Sequence, residues 1–295
     1  MSSPALFSRD HPYAVIIASA LVLMAELSFA SVSALVKWLS DDVNFAQLVF
    51  FRNLFALLVL LPFLLRKGVG NLRTRKWHLH LLRGSVGMVA MYLFFYAIAN
   101  IPLAQATLVL LLAPFLIPII SRLWLAEAIS RQTIVAIAIG FSGVFIFLDP
   151  LHSELSPIVA VALIAACFAA LVKTVIRRLS DTESTSVIVF YFSLLATVFS
   201  AIPLIWQWQT VSADSWLGIA AMGLLAVIGQ LAMTRAFSIA SPSQVGVFTY
   251  SSVLFAALFG YWFWQEPLYW HMLFGALVIM LAGYLAIRGQ ARRPS

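Results

Sequence analysis

The chain has 295 residues, of which 63% are hydrophobic and 10% charged, and its mean hydropathy is +1.00. Soluble domains are about 45–50% apolar, so this composition excludes an ordinary water-facing globule and indicates a chain embedded in a bilayer. The formal charge of +7 raises nucleic acid or anionic lipid as partners, and the placement of the charges gives a better account.

Residues 1–12 carry one basic residue, Arg9, and lead into a long apolar run without a clear small-residue cleavage site. They read as the lead into a retained helix rather than as a removed signal. A hydrocarbon core about 30 Å thick needs roughly 20 apolar residues per crossing. Ten such stretches follow, at 13–38, 44–65, 83–100, 103–125, 132–148, 156–177, 186–206, 215–236, 243–264 and 269–288. Polar, proline or glycine punctuation separates them. The short joins around Pro102 and Pro267 predict tight helical hairpins. Cys167, the one cysteine, lies within an apolar run and reads as a small buried residue.

Orientation follows from Lys and Arg in short loops, which stay cytoplasmic. With the N-terminus inside, the inner segments hold 15 of the 18 basic residues. The outer loops hold Asp41, Asp42, Asp149, Glu154, Asp214 and Glu266 and no basic residue. The net charge is thus a signature of topology, with some attraction to anionic inner-leaflet lipid. Nucleic acid is not needed.

The second five stretches repeat the first. A shift of 140 residues superposes Ser40 on Ser180, Pro102 on Pro242, Trp124 on Trp264 and Gly143 on Gly283. Lys37 meets Arg177, and Arg52 meets Phe192. An odd-numbered repeat places its second copy upside down, and inverted repeats meeting at the midplane typify secondary transporters. The expected fold is all-α integral membrane, ten transmembrane helices as two inverted five-helix repeats, at 14–148 and 156–288.

Polar groups within a bilayer are costly and tend to face a bundle interior or a cavity. Glu26, near the middle of the first stretch, could bind a cationic group, carry a coupling proton or hydrogen-bond another helix. Lys37 ends that stretch on the outer side, where snorkelling is the bland reading. Arg52 lies deeper, with Asp41 or Asp42 as candidate partners; it reads as a structural ion pair or as an anchor for a carboxylate or phosphate. Lys173 sits in the inner part of the sixth stretch. Tyr92, Tyr96, Gln105, Gln230, Gln244 and Tyr250 suit the wall of an organic-substrate cavity, with packing as the alternative. Pro114 and Pro118 permit a kink or hinge. Glu127 and Glu266 follow Trp124 and Trp264 and could form a symmetric gate, or simply sit solvated at the interface. His78, His80, His152 and His271 read as loop or interface residues. No P-loop, metal-ligand cluster or nucleophile motif stands out, so neither an enzyme nor a cofactor or metal site is expected.

These residues resemble the drug/metabolite transporter superfamily, specifically bacterial proteins with two EamA domains. The resemblance covers about residues 14–288. It is carried by Arg83-Gly84 through Tyr96 to Pro102-Leu103-Ala104-Gln105-Ala106 and Leu125-Ala126-Glu127. The second copy runs from Ala240-Ser241-Pro242-Ser243-Gln244 to Trp264-Gln265-Glu266, and Lys37 with Phe50-Phe51-Arg52 looks like one branch of the family. It implies a central cavity among the first, third, fourth, sixth, eighth and ninth helices, opened alternately to either side. It also implies a small-molecule substrate, a bacterial inner-membrane location with both termini cytoplasmic, and proton coupling as an option. Export of amino acids, aromatic ones included, is the expectation; nucleotide-related or vitamin substrates, or a non-transporting scaffold or receptor, are the alternatives.

Overall fold

A computed structural model describes residues 12–66, 74–125, 129, 131–149, 156–180, 182–239 and 246–291. Among these residues every regular element is helical. The elements are α1 (Pro12–Leu39), α2 (Phe45–Arg66), α3 (Trp77–Asn100), α4 (Leu103–Leu110), α5 (Ala113–Leu125), α6 (Arg131–Leu148), α7 (Ile158–Ser180) and α8 (Thr185–Ala201). They continue with the short α9 (Leu204–Gln207), α10 (Ala213–Ile239), a 3-10 turn (Gly246–Tyr250) leading into α11 (Ser251–Trp264), and α12 (Trp270–Ala291). Six candidate spans are long and apolar enough to cross a membrane, and three shorter apolar helices accompany them among the described residues.

Three boundaries differ from the sequence expectation. Helix α3 begins at Trp77 rather than at residue 83, so Arg83 lies inside a helix and not at its mouth. The fourth stretch is split: Leu111 and Leu112 form a turn between α4 and α5. Pro114 has no N–H to continue the ladder there, and Phe115 donates instead to the Leu112 carbonyl at 2.9 Å. The seventh stretch stops at Ala201, and Pro203 opens the separate turn α9.

Packing follows small residues. Helices α1 and α10 lie along one another, as do α3 and α7, α2 and α8, and α6 and α12. The α6–α12 pair approaches most intimately. A Cβ on Gly275 would lie 2.6 Å from the Phe147 backbone nitrogen and 2.7 Å from the Gly143 carbonyl. Small residues let helix backbones meet where lipid offers no hydrophobic drive for association. Hydroxyls within the helices bond their own backbone: Ser28 to the Met24 carbonyl at 2.8 Å, Thr174 to that of Ala170 at 3.0 Å. Large apolar side chains such as Ile164, Leu217 and Leu254 point outward, an apolar exterior that suits lipid. Cys167 is on that exposed side rather than buried.

Candidate functional site

The sharpest polar constellation closes one end of the bundle. Helix α1 presents Lys37 in its last turn. Helix α11 ends at Gln265 in the left-handed conformation, φ 54°, which turns the chain back so that the Glu266 N–H donates to the Gly260 carbonyl at 3.1 Å. The Glu266 carboxylate then rests on Gly260, where a Cβ would collide with it. Lys37 Nζ donates to Glu266 Oε1 at 2.6 Å and to the Ile101 carbonyl at 3.0 Å, and lies 5.4 Å over the Trp264 ring. The Leu103 N–H, at the start of α4, donates to both Glu266 oxygens at 3.1 and 2.9 Å. One carboxylate thereby joins three segments, accepting charge-assisted bonds at a helix N-terminus. The side chains of Lys37 and Glu266 are 13% and 11% exposed. The partner of Lys37 is thus 229 residues away in sequence; Asp41 and Asp42, the candidate partners of Arg52, stand exposed in the loop.

Further along the same helix face, Glu26, Ala30 and Ser33 are aligned with Lys37 by helical spacing. Glu26 is 8% exposed. It attracts Lys173 of α7 across the bundle. Helices α1 and α7 both pack on α3 and α4. The outward face of α7 is marked by exposed Ala160, Ile164, Cys167 and Arg178. Lys173 is also exposed, yet at about 100° per residue it lies roughly 140° round the helix from that face. Its side chain is therefore directed to the interior rather than outward.

Gln105 on α4 and Gln230 on α10 are both half-buried. Tyr250 is buried beside a small apolar crevice lined by Leu108, Leu111, Val253, Ile279 and Met280. Tyr92 keeps a buried hydroxyl without a hydrogen-bond partner. Tyr96 is 43% exposed, its ring edge-on to Phe45 at 6.0 Å, and so faces away from the interior. Pro114 and Pro118 lie in α5. Gln244 and Glu127 fall outside the described residues. No cluster of three His, Cys, Asp or Glu side chains able to hold a metal occurs among the described residues.

A second polar group lies between α2, α3 and α8. Arg52 Nη1 meets the Asn53 side-chain oxygen at 3.1 Å and Met91 Sδ at 3.8 Å, and its Nε is buried without a partner. Arg83 is 5% exposed, with Nε and Nη1 unpartnered and its guanidinium 4.0 Å over the Phe192 ring. His80, 1% exposed, lies against the Tyr191 ring at 4.5 Å, tilted by 34°, and neither ring nitrogen has a hydrogen-bond partner. It is a buried residue of α3 and not the interface residue its position suggested. Burying an ion costs several kcal/mol, and a cation–π contact returns at most about 2 kcal/mol, so Phe192 alone does not neutralise Arg83. In the sequence Arg83 stands out only through the Arg83-Gly84 motif. The signal that finds it is the α3 stripe Arg83-Gly87-Met91, spaced i, i+4, i+8.

Several apolar crossing helices with an apolar exterior and a charged interior define a multi-pass membrane protein. The EamA-like transporter family model matches residues 16–148 and 156–288, and the chain belongs to that family. The pseudopaline exporter CntI of Pseudomonas aeruginosa is 36% identical over 250 residues, 83% of this chain and 87% of that protein. A riboflavin transporter of Vibrio cholerae is 28% identical, over 88% of this chain and 89% of that one. An S-adenosylmethionine uptake transporter of Rickettsia felis is 24% identical, over 92% and 93%. A crystal structure 19% identical in sequence shares the fold, with a TM-score of 0.65 over 97% of this chain and all of that one. The family and these names point to a membrane transporter and not an enzyme.

Proposed function

We propose that this protein is a secondary transporter of small organic metabolites, exporting amino acids, aromatic ones included, by alternating access. The observation that carries this reading is the unequal treatment of the outer end and the middle of α1. Its Lys37 end is tied shut through Glu266, Ile101 and Leu103, while at mid-helix Glu26 faces Lys173 without a direct ion pair. A carrier caught with its outer gate closed and its inner vestibule open has this asymmetry. Lys37 and Glu266 are the outer gate, and the break before Pro114 supplies a hinge. Opposed charges that attract without a direct ion pair suit the ammonium and carboxylate of an amino acid, with Tyr92, Gln105, Gln230 and Tyr250 around its side chain. Glu26 doubles as the site for a coupling proton.

The ten-helix inverted repeat, with units 14–148 and 156–288, is supported by the packing pairs. Exchanging the two halves turns α1–α10 into α7–α3 and leaves α2–α8 and α6–α12 unchanged. Cytoplasmic termini and an inner bacterial membrane are supported by the charge bias. The named riboflavin and S-adenosylmethionine transporters favour a second solute class, vitamins or nucleotide-related compounds.

The test is flux in proteoliposomes loaded with labelled amino acids, nucleotide derivatives and vitamins, with and without a pH gradient. Saturable flux of an amino-acid class supports the reading, and gradient dependence lost in Glu26→Gln supports the proton role. Folded protein that moves none of the panel sinks it.

A further inference from the structure

The geometry points to an anion-binding site between α2, α3 and α8, in which Arg52, Arg83 and His80 hold a carboxylate or phosphate group. It rests on residues other than Glu26 and Lys173 and does not depend on which solute is carried.

Three observations converge. The first is crowding of positive charge: the guanidinium groups of Arg52 and Arg83 lie close enough to repel one another; His80, on the same face of α3 one turn from Arg83, adds a buried imidazole beside them. The second is the lack of any carboxylate, among the described acids, to answer the two guanidinium groups. Among the described acids, Glu26 faces Lys173, Glu266 binds Lys37, and Asp149 is near His271. Glu183 reaches only His80 and takes the Thr74 hydroxyl at 2.6 Å, while Asp41, Asp42 and Asp214 are exposed. The third is unspent donor capacity: Nε and Nη1 of Arg83 and Nε of Arg52 are buried without partners, as are the two His80 ring nitrogens, of which a neutral imidazole offers one as a donor.

An arginine fork presents parallel donors that match a carboxylate or phosphate edge to edge. Two of them with an imidazole, buried and unneutralised, complement an anion and little else. Gly87 keeps the stripe between Arg83 and Met91 free of a side chain, and the Phe192 ring lies where its Cβ would go, 2.9 Å away. The cations are not a requirement of the fold. The 140-residue repeat sets Phe192 opposite Arg52 and Gly223 opposite Arg83. The second half builds the corresponding helix contact without charge, with Gly223 against Phe55.

The anion can come from a carried solute or from an anionic lipid headgroup, and one experiment separates them. The full chain in phosphatidylcholine nanodiscs is followed by thermal unfolding at constant ionic strength, balanced with sodium chloride. Sodium succinate and sodium phosphate are titrated, and phosphatidylglycerol is added in a separate series. The expected result is a saturating rise in Tm with at least one probe, its midpoint weakened tenfold or more in Arg52→Gln and Arg83→Gln. A response to the soluble anions alone assigns the site to solute, and one to phosphatidylglycerol alone assigns it to lipid. Where Arg83→Gln does not fold, Arg83→Lys keeps the charge and loses the fork, and its midpoint must weaken too. No saturating rise with any probe, or midpoints unchanged in the variants, overturns the proposal.

Discussion

Glu266→Gln is the perturbation that bears most on how the bundle opens. It removes the charge that Lys37 meets at 2.6 Å but leaves an oxygen for the Leu103 N–H. Exposed ion pairs contribute up to about 1 kcal/mol, and breaking a buried one costs about 3–5 kcal/mol. Side chains 13% and 11% exposed, one of them keeping part of its bonding, fall between, at about 2 kcal/mol. If the clamp exists only in the outer-closed state, that shifts the open-to-closed ratio by about thirtyfold. The readout is thiol labelling in Cys167→Ser protein carrying Ser33→Cys. Position 33 lies one helical turn below Lys37 and is 7% exposed. An impermeant reagent applied from outside is expected to react at least tenfold faster in the Glu266→Gln background. An unchanged labelling rate beside a lowered Tm would show the pair to be a brace and not a gate.

The clamp also has a polarity. Ile101 offers a carbonyl and Leu103 an N–H, so the exchanged pair Lys37→Glu with Glu266→Lys is expected to label as fast as the single variants; recovery of the slow rate would contradict this. Gly275→Ala drives a Cβ into backbone atoms of α6, whereas Gly84→Ala meets the Leu195 side chain first, at 2.9 Å. The former should cost about 1–3 kcal/mol and the latter less, read as Tm in detergent, and equal losses would refute the close-approach argument. Lys173→Met is expected to raise KM for an amino-acid substrate more than it lowers kcat, since it removes a ground-state contact; an unaltered KM would place Lys173 outside the solute path.

Helix type was legible because a bilayer imposes length and apolarity on each crossing separately. The break at Leu111–Leu112 was half legible: Pro114 announced a kink, and only the backbone bonds place it. The start of α3 was missed because Trp77, His78 and His80 look polar or interfacial, yet Leu79, Leu82 and the buried face of His80 continue the helix downward. That error hid Arg83 as a site residue. The link from Lys37 to Glu266 was illegible because its partners lie on different repeats, and a single sequence carries no record of which distant residues meet. Tyr96 shows the reverse failing: aromatic character suggested a cavity wall, whereas its helical phase turns it outward, in line with exposed Leu81, Ser85 and Val89.

Alternating access makes a demand that neither a channel nor a scaffold meets, and counterflow tests it most directly. Proteoliposomes are preloaded with a high concentration of an unlabelled amino acid that the flux panel identifies, then diluted into a trace of the labelled compound. A carrier with one gate closed at a time accumulates label transiently above its equilibrium level, and that overshoot is the expected result. Label that enters only to equilibrium, or not at all, would contradict alternating access.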